Sequence, residues 1–300
     1  MAKIAAELQS AVTERLESGA PGKAESRVLA KGKGWQVADV MCTSGPQDRR
    51  FEERHNSVSI AVVLAGSFQY RSGSKQALMT PGSLLLGSAG EHFECGHDYA
   101  MGDRCVAFWY QPDYFERNAF DAGVKRPNAK FGDVRVPAVR ELSPLVTKAC
   151  SGLSDPDAGW EELAVRFAAT AAQLVNGVPA GTNDPLPSAQ RATTRVLRMV
   201  EEEPQAEWSL DRMAKAAGLS PYHFLRTFET VAGVTPHQYV LRSRLRNAAA
   251  EIAAGSQKVV DIALGCGFGD VSNFNRAFKR ELGMSPREWR LSEKRVVHGA

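Results

Sequence analysis

Two groups of side chains in this sequence have types and spacings suited to chemistry. The first comes in two copies: Tyr222, His223, Leu225 and Arg226, then Ser272, Asn275, Arg276, Lys279 and Arg280 about fifty residues on. Arginine can bond a guanine edge through two N–H groups, and asparagine can read an adenine in a similar way. His223 could meet a base or a phosphate. The second group is Cys95, His97 and Cys105. If the segment between them is a hairpin centred near Met101, His97 faces Cys105 across the strands and Cys95 shares that face. Two thiols and an imidazole could bind zinc or iron, with His92 or His55 as a fourth ligand. They could also form a redox-sensitive thiol pair, or be small core residues with no chemistry. The sequence has no Cys-x-x-Cys pair and no His-x-His.

The first group needs a duplicated helical unit to hold it. Thr235-Pro236-His237-Gln238-Tyr239 returns as Ser285-Pro286-Arg287-Glu288-Trp289, and Phe224, Phe228 and Gly233 return as Phe274, Phe278 and Gly283. Ala214 and Gly218 return one residue early, as Ala263 and Gly267, so the central turns differ in length. Each copy reads as a helix, a glycine-containing turn and a second helix, the layout of helix-turn-helix DNA readers. Ser209 is the N-cap expected for the first helix, Ser220-Pro221 opens the second, and Asp270 takes the Ser220 place in the second copy. The phenylalanines, spaced i, i+4, mark a buried face with the candidate readers opposite.

Between the copies, Thr235 and Gln238 make a capping-box pattern. The helix it opens runs through Val240, Leu241, Leu245, Ala248 and Ile252 to Gly255, with Arg242, Arg244 and Arg246 expected on its exposed side. About twenty residues make a rod of roughly 30 Å. One turn of B-DNA is ~34 Å, so the two second helices could enter successive major grooves.

Charge follows the repeat. Residues 188–300 hold 17 Lys and Arg against 12 Asp and Glu, whereas residues 1–187 hold 20 against 22. A basic, duplicated half suits a polyanionic partner, double-stranded DNA. The 300 residues allow two separate cores. Five cysteines, an odd number, with no basic segment leading into an apolar stretch at the N-terminus, predict reduced thiols and a cytoplasmic protein. No apolar run approaches a membrane span.

From about Phe51 to Phe108 the pattern alternates, punctuated by Gly66, Gly73 and Pro81-Gly82, which predicts short antiparallel strands in a barrel or sandwich. Helices are expected from about Leu142 to Gly152 and from Trp160 to Asn176. The stretch from Gly177 to Pro187, rich in Gly, Pro and Asn, is the candidate linker. The expected organisation is a first domain over 1–177, a linker over 178–188 and a helical domain over 189–300.

Over roughly residues 190–292 this layout resembles the DNA-binding domain of the AraC/XylS family of transcriptional regulators. The resemblance is carried by Leu210-Asp211-Arg212-Met213-Ala214-Lys215-Ala216-Ala217-Gly218-Leu219-Ser220 and by Phe224-Leu225-Arg226-Thr227-Phe228. Its most specific part is Asp261-Ile262-Ala263-Leu264-Gly265-Cys266-Gly267-Phe268 with Phe274-Asn275-Arg276-Ala277-Phe278-Lys279-Arg280. One helix-turn-helix match is a weak signal; two at this spacing are a strong one. The resemblance implies a transcription regulator, activator or repressor, that works with RNA polymerase and is not an enzyme. Leu225 departs from the pattern, standing where many relatives carry a polar reader; it could discriminate bases or only pack on a thymine methyl.

The strand-rich region, about 50–125, resembles the cupin-like effector domain of such regulators. That implies a small-molecule effector, a homodimer, or both, with helices near 138–151 and 159–177 as the dimer face. Their small residues, Ala164, Ala168, Ala169, Ala171 and Ala172, equally suit packing onto the barrel. The expected fold class is α+β with two domains: an N-terminal cupin-like β-barrel with flanking helices, then an all-α tandem helix-turn-helix. Three rival functions are weaker. A metal-dependent cupin enzyme fused to a DNA module lacks its His-x-His…Glu…His ligands. An alkyl-accepting repair regulator needs clustered N-terminal cysteines, and only Cys42 precedes Cys95. A non-specific architectural binder would not discriminate promoter from random DNA.

Overall fold

Continuous apolar runs in the first half arise because both faces of the central strands are covered. The computed structural model describes residues 2–125, 127–155, 158–175, 187–219, 221–255 and 257–298; side chains at 2, 210, 211, 221–223, 225, 226 and 294–298 are outside the description. The expected linker lies outside the described residues, except that its last positions open a helix. Helix α1 (Ala2–Ser18) leads to β1 (Ala24–Gly32), β2 (Trp35–Cys42), β3 (Phe51–Arg54), β4 (Val58–Gly66) and β5 (Phe68–Ser72). Next come β6 (Lys75–Met79), β7 (Leu84–Gly87), β8 (His92–Gly96) and β9 (Asp103–Tyr110). Then follow α2 (Pro112–Asp121), β10 (Arg135–Val136), α3 (Ser143–Gly152) and α4 (Trp160–Val175).

The strands form two antiparallel sheets, ordered β1-β2-β9-β4-β7-β10 and β3-β8-β5-β6. Alternate residues of β4 serve two cores. Val58, Ile60, Val62 and Leu64 pack outward on helices, beside Ile4, Leu8 and Val12 of α1. Ala61 and Val63 point between the sheets with Phe68, Tyr70 and Met79. Strand β9 divides the same way, Val106 and Phe108 outward, Cys105 and Ala107 inward. Helix α4 turns Leu163, Phe167, Ala168 and Ala171 onto this outer core; the Phe108 and Phe167 rings lie 4.8 Å apart and the Tyr110 hydroxyl donates to the Ala164 carbonyl at 2.8 Å. The small residues of α4 therefore pack onto the barrel.

The hairpin expected around Met101 does not form. Strand β8 pairs with β3 and β5, whereas β9 pairs with β2 and β4, so Cys95 and Cys105 stand on facing sheets. The connection crosses between sheets because Gly102, at φ 71°, donates its N–H to the Ser44 carbonyl at 2.9 Å. A Cβ there would sit 2.8 Å from a Val12 methyl and 2.9 Å from the Cys42 carbonyl.

The second half is helical: α5 (Pro187–Glu202), α6 (Leu210–Ala217), α7 (Pro221–Ala232), α8 (Pro236–Ala254), α9 (Val259–Gly265), α10 (Val271–Leu282) and α11 (Pro286–His298). The duplication is visible bond by bond. Gly218 and Gly267 both take positive φ, and Leu219 N–H bonds the Ala214 carbonyl at 3.0 Å just as Phe268 N–H bonds Ala263 at 3.1 Å. Ser209 caps α6 through the Arg212 N–H, and Asp270 caps α10 through the Asn273 N–H at 2.6 Å. Thr235 with Gln238, and Ser285 with Glu288, close reciprocal capping boxes.

Each copy has its own core. Phe224 and Phe228 pack with Val196, Met213 and Tyr239; Phe274 and Phe278 pack with Leu245, Ile262 and Trp289. Helix α8 threads both, its first half in one core and its second half in the other.

The arginines of α8 overturn the expectation that they are exposed. Arg242 and Arg246 are 9% and 3% exposed, and Arg244 is half-buried. Arg244 donates to the Pro204, Ala206 and Gly267 carbonyls at 2.8, 2.7 and 2.9 Å, tying the segment before the first copy to the turn of the second. Arg246 pairs with Glu201 at 3.3 Å. Arg242 donates to Glu281 of α10 at 2.8 Å and to the Ala138 carbonyl of the first half, while the Ser143 hydroxyl of α3 donates to the same Glu281 oxygen at 2.7 Å. Burial pulls the Arg242 guanidinium below its usual pKa and Glu281 pulls it back. A helix threading two cores and a domain contact has little free face, so its guanidinium groups bond carbonyls and carboxylates instead of solvent.

Candidate functional site

Helix α10 presents a two-sided surface. Phe274, Ala277, Phe278 and Leu282 are buried, whereas Ser272, Asn275, Arg276, Lys279 and Arg280 are all exposed. Among the described residues, Arg276, Lys279 and Arg280 have no ion-pair partner, in contrast to Arg242 and Arg246 of α8, which pair with carboxylates, and to Arg244, which is taken up by three carbonyls. Unpaired cations and an amide on one helical face can meet phosphates and base edges. Asn273, not anticipated from the sequence, joins this exposed face in the first turn of the helix. In the first copy, α7 holds Phe224 and Phe228 inward as expected. The side chains of Tyr222, His223, Leu225 and Arg226 lie outside the described residues.

The first half encloses a cavity of about 880 Å³, lined by Trp35, Phe51, Phe68, Phe93 and Trp109 among others. That size and aromatic lining suit a small organic molecule. Polar groups are fixed at its wall. Arg50 grips both Asp98 oxygens at 2.9 Å and also bonds Glu94. His55 stacks on Phe93 at 4.2 Å and shares a 2.7 Å hydrogen bond with the Tyr70 hydroxyl.

Burial holds the His55 pKa down to about 4 from 6.5. The unfolded chain then takes up a proton first as pH falls, so His55 contributes full stability above about pH 6.5 and loses it toward pH 4. A shift of this size corresponds to about 3 kcal/mol over the whole window. Urea midpoints at pH 7 and pH 5 should fall further in the native chain than in His55→Phe; parallel losses would remove His55 as the cause.

The three sensor candidates do not converge as the hairpin would require. His97 hydrogen-bonds Asp103 at 2.7 Å, and the Cys105 thiol donates to the other Asp103 oxygen at 3.3 Å. Cys42, at the end of β2, faces Asp103 in register. His92 is exposed at the far end of β8, opposite Arg54, and His55 is held by Tyr70. Burial, with the negative Asp103 nearby, pushes the thiol pKa values of Cys95 and Cys105 well up and that of Cys42 to about 11. Burial thus works against a free thiolate at any of the three, the opposite of the shift that makes a thiol spontaneously reactive. Sequence spacing pointed to Cys95 and His97, but Cys42 and Asp103 are brought in by strand register.

A helix-turn-helix domain model matches residues 213–292, the two reader units almost entirely. The HTH-type transcriptional regulator MtrA of Neisseria gonorrhoeae is 33% identical over 95 residues, 32% of this chain and 32% of that protein. The chain matches about a third of the length of the first of its curated relatives. The HTH-type transcriptional activator AarP of Providencia stuartii is 33% identical over 100 residues, 33% of this chain and 74% of that protein. The chain belongs to the AraC-type family of helix-turn-helix regulators. A further relative, the transcriptional activator RhaR of Escherichia coli, is 24% identical over 268 residues, 85% of this chain and 92% of that protein. In this AraC-type chain the exposed face of α10 lies inside the matched segment, and the cavity lies outside it. No helix among the described residues is long and apolar enough to cross a membrane.

Proposed function

We propose that this AraC-type chain is a sequence-specific DNA-binding transcription regulator that reads two successive major grooves, with α7 and α10 as the recognition helices. The observation that carries this reading is the face of α10, where Ser272, Asn275, Arg276, Lys279 and Arg280 stand exposed over a phenylalanine core. Asn275 and Arg276 read base edges, while Lys279 and Arg280 contact phosphates. Tyr222, His223, Leu225 and Arg226 do the corresponding work on α7. Helix α8, with 19 residues, is about 28 Å long, near the ~34 Å repeat of B-DNA. Its arginines hold the readers in place and leave phosphate contact to other residues.

The first half acts as a binding module, not a catalyst: its cavity takes a small organic effector, and the occupied state alters how the readers are held through α3, α8 and α10. Self-association as a homodimer and contact with RNA polymerase belong to the same reading.

Replacing Arg276 by alanine should weaken specific DNA binding by about 1–3 kcal/mol and relax preference at one base pair. Titrations at fixed salt against the site and its single-base variants measure both. An unchanged affinity and preference would remove α10 as the reader. Equal affinity for promoter and random duplex would favour the architectural alternative.

A further inference from the structure

Three donor groups converge where β2 ends and β9 begins, far in sequence from the helices assigned to DNA. Cys42 and Asp103 are cross-strand partners in the six-stranded sheet, and His97 follows β8 of the facing sheet. One sulfur, one ring nitrogen and one carboxylate oxygen from these residues all lie within 4.8 Å of one another. His97 and Asp103 are 6% and 5% exposed, so the cluster is sheltered from bulk water. A tetrahedral zinc ion with bonds of about 2.0–2.3 Å sets its donors roughly 3.3–3.8 Å apart. Reaching that geometry takes side-chain adjustments of about an ångström, within rotamer freedom.

The donor types agree with such an ion. Thiolate and imidazole select zinc-type cations over calcium or magnesium, and a carboxylate oxygen is a further donor that zinc accepts. Outer support is already in place: the Cys105 thiol bonds the second Asp103 oxygen, fixing the carboxylate's orientation. All three donor residues also line the 880 Å³ cavity. A fourth coordination position would therefore face the space where a small molecule could sit.

We propose that this chain binds one zinc-type divalent cation through Cys42, His97 and Asp103, at the wall of the cavity, with the fourth position open to it. This site is independent of the DNA-reading assignment, and either can fail without the other.

The test uses the full chain, stripped with a chelator and titrated with zinc alone in competition with a chromophoric chelator, then with cobalt(II) as an optical probe. Zinc should bind at one equivalent and raise the Tm of the native chain. Cobalt should produce a thiolate-to-metal charge-transfer band. Cys42→Ser should abolish that band, and Cys266→Ala should keep it, since Cys266 lies in the core of the second reader. His97→Gln and Asp103→Asn should each weaken zinc by about 100-fold or more, at or beyond the upper end of the roughly 10–100-fold cost of losing an outer partner. Circular dichroism of each variant separates lost ligation from lost folding, and the native-chain stoichiometry and Tm need no variant at all. The assignment is overturned by the absence of stoichiometric zinc, by a band that survives Cys42→Ser in folded protein, or by a band that depends on Cys95 instead.

Discussion

Replacing Glu281 by alanine is expected to destabilise the chain by about 3–5 kcal/mol, because it leaves a buried guanidinium without its carboxylate. Glu281 accepts from Arg242 at 2.8 Å and from Ser143 at 2.7 Å, and all three residues are buried. The second partner comes from α3 of the first half, so the loss should also loosen the hold of the barrel on α10. Denaturant midpoints measure the cost. The double replacement Arg242→Met with Glu281→Leu should recover most of it, since an apolar pair of similar volume is often neutral or better than a buried ion pair. A cost near that of an exposed pair, below about 1 kcal/mol, would mean that water reaches this contact and that it does not fasten the halves.

Phe274→Ala should cost about 3–5 kcal/mol through the cavity it opens, and the damage should stay in one reader. Phe274 is fully buried and packs edge-on to Phe268 at 5.0 Å and beside Phe278 at 5.4 Å. Its core contains residues of α8 to α11 only, while the first reader's aromatic pair belongs to a separate core. On DNA, the footprint should shrink to the groove contacted by α7, with the matching replacement Phe224→Ala giving the opposite half. A footprint lost as a whole from either replacement would mean that the two readers fold as one cooperative unit through the Arg244 strut.

The tandem reader was legible in the sequence because it is built from local rules. N-caps, capping boxes, positive-φ glycines and i, i+4 aromatic pairs act over a few residues, and each is found where its residue types require it. The strands from Val58 to Leu86 were legible for the same reason, as short apolar runs bounded by turn residues. The strands before Phe51 were not. Strand β1 is largely exposed along its length, so the alternation that marks a half-buried strand is missing.

Arginine positions on α8 misled because the sequence shows only that a long basic side chain is present. Whether that chain reaches water or a carbonyl depends on what packs beside it, and here both a second reader and the barrel do. The sensor cluster misled similarly. Proximity along the chain joined Cys95, His97 and Cys105, whereas pairing in two different sheets put Cys42 and Asp103 beside His97.

The amino-acid order by itself determined that this protein carries two matching helical readers with a basic face and a strand-rich partner domain, since short-range hydrogen-bonding and hydrophobic periodicity suffice for that. Only the tertiary structure decided which charged groups remain free for a polyanion, and which thiol and carboxylate complete the histidine cluster. Those outcomes depend on sheet register and inter-domain packing, where residues more than a hundred positions apart compete for the same partners.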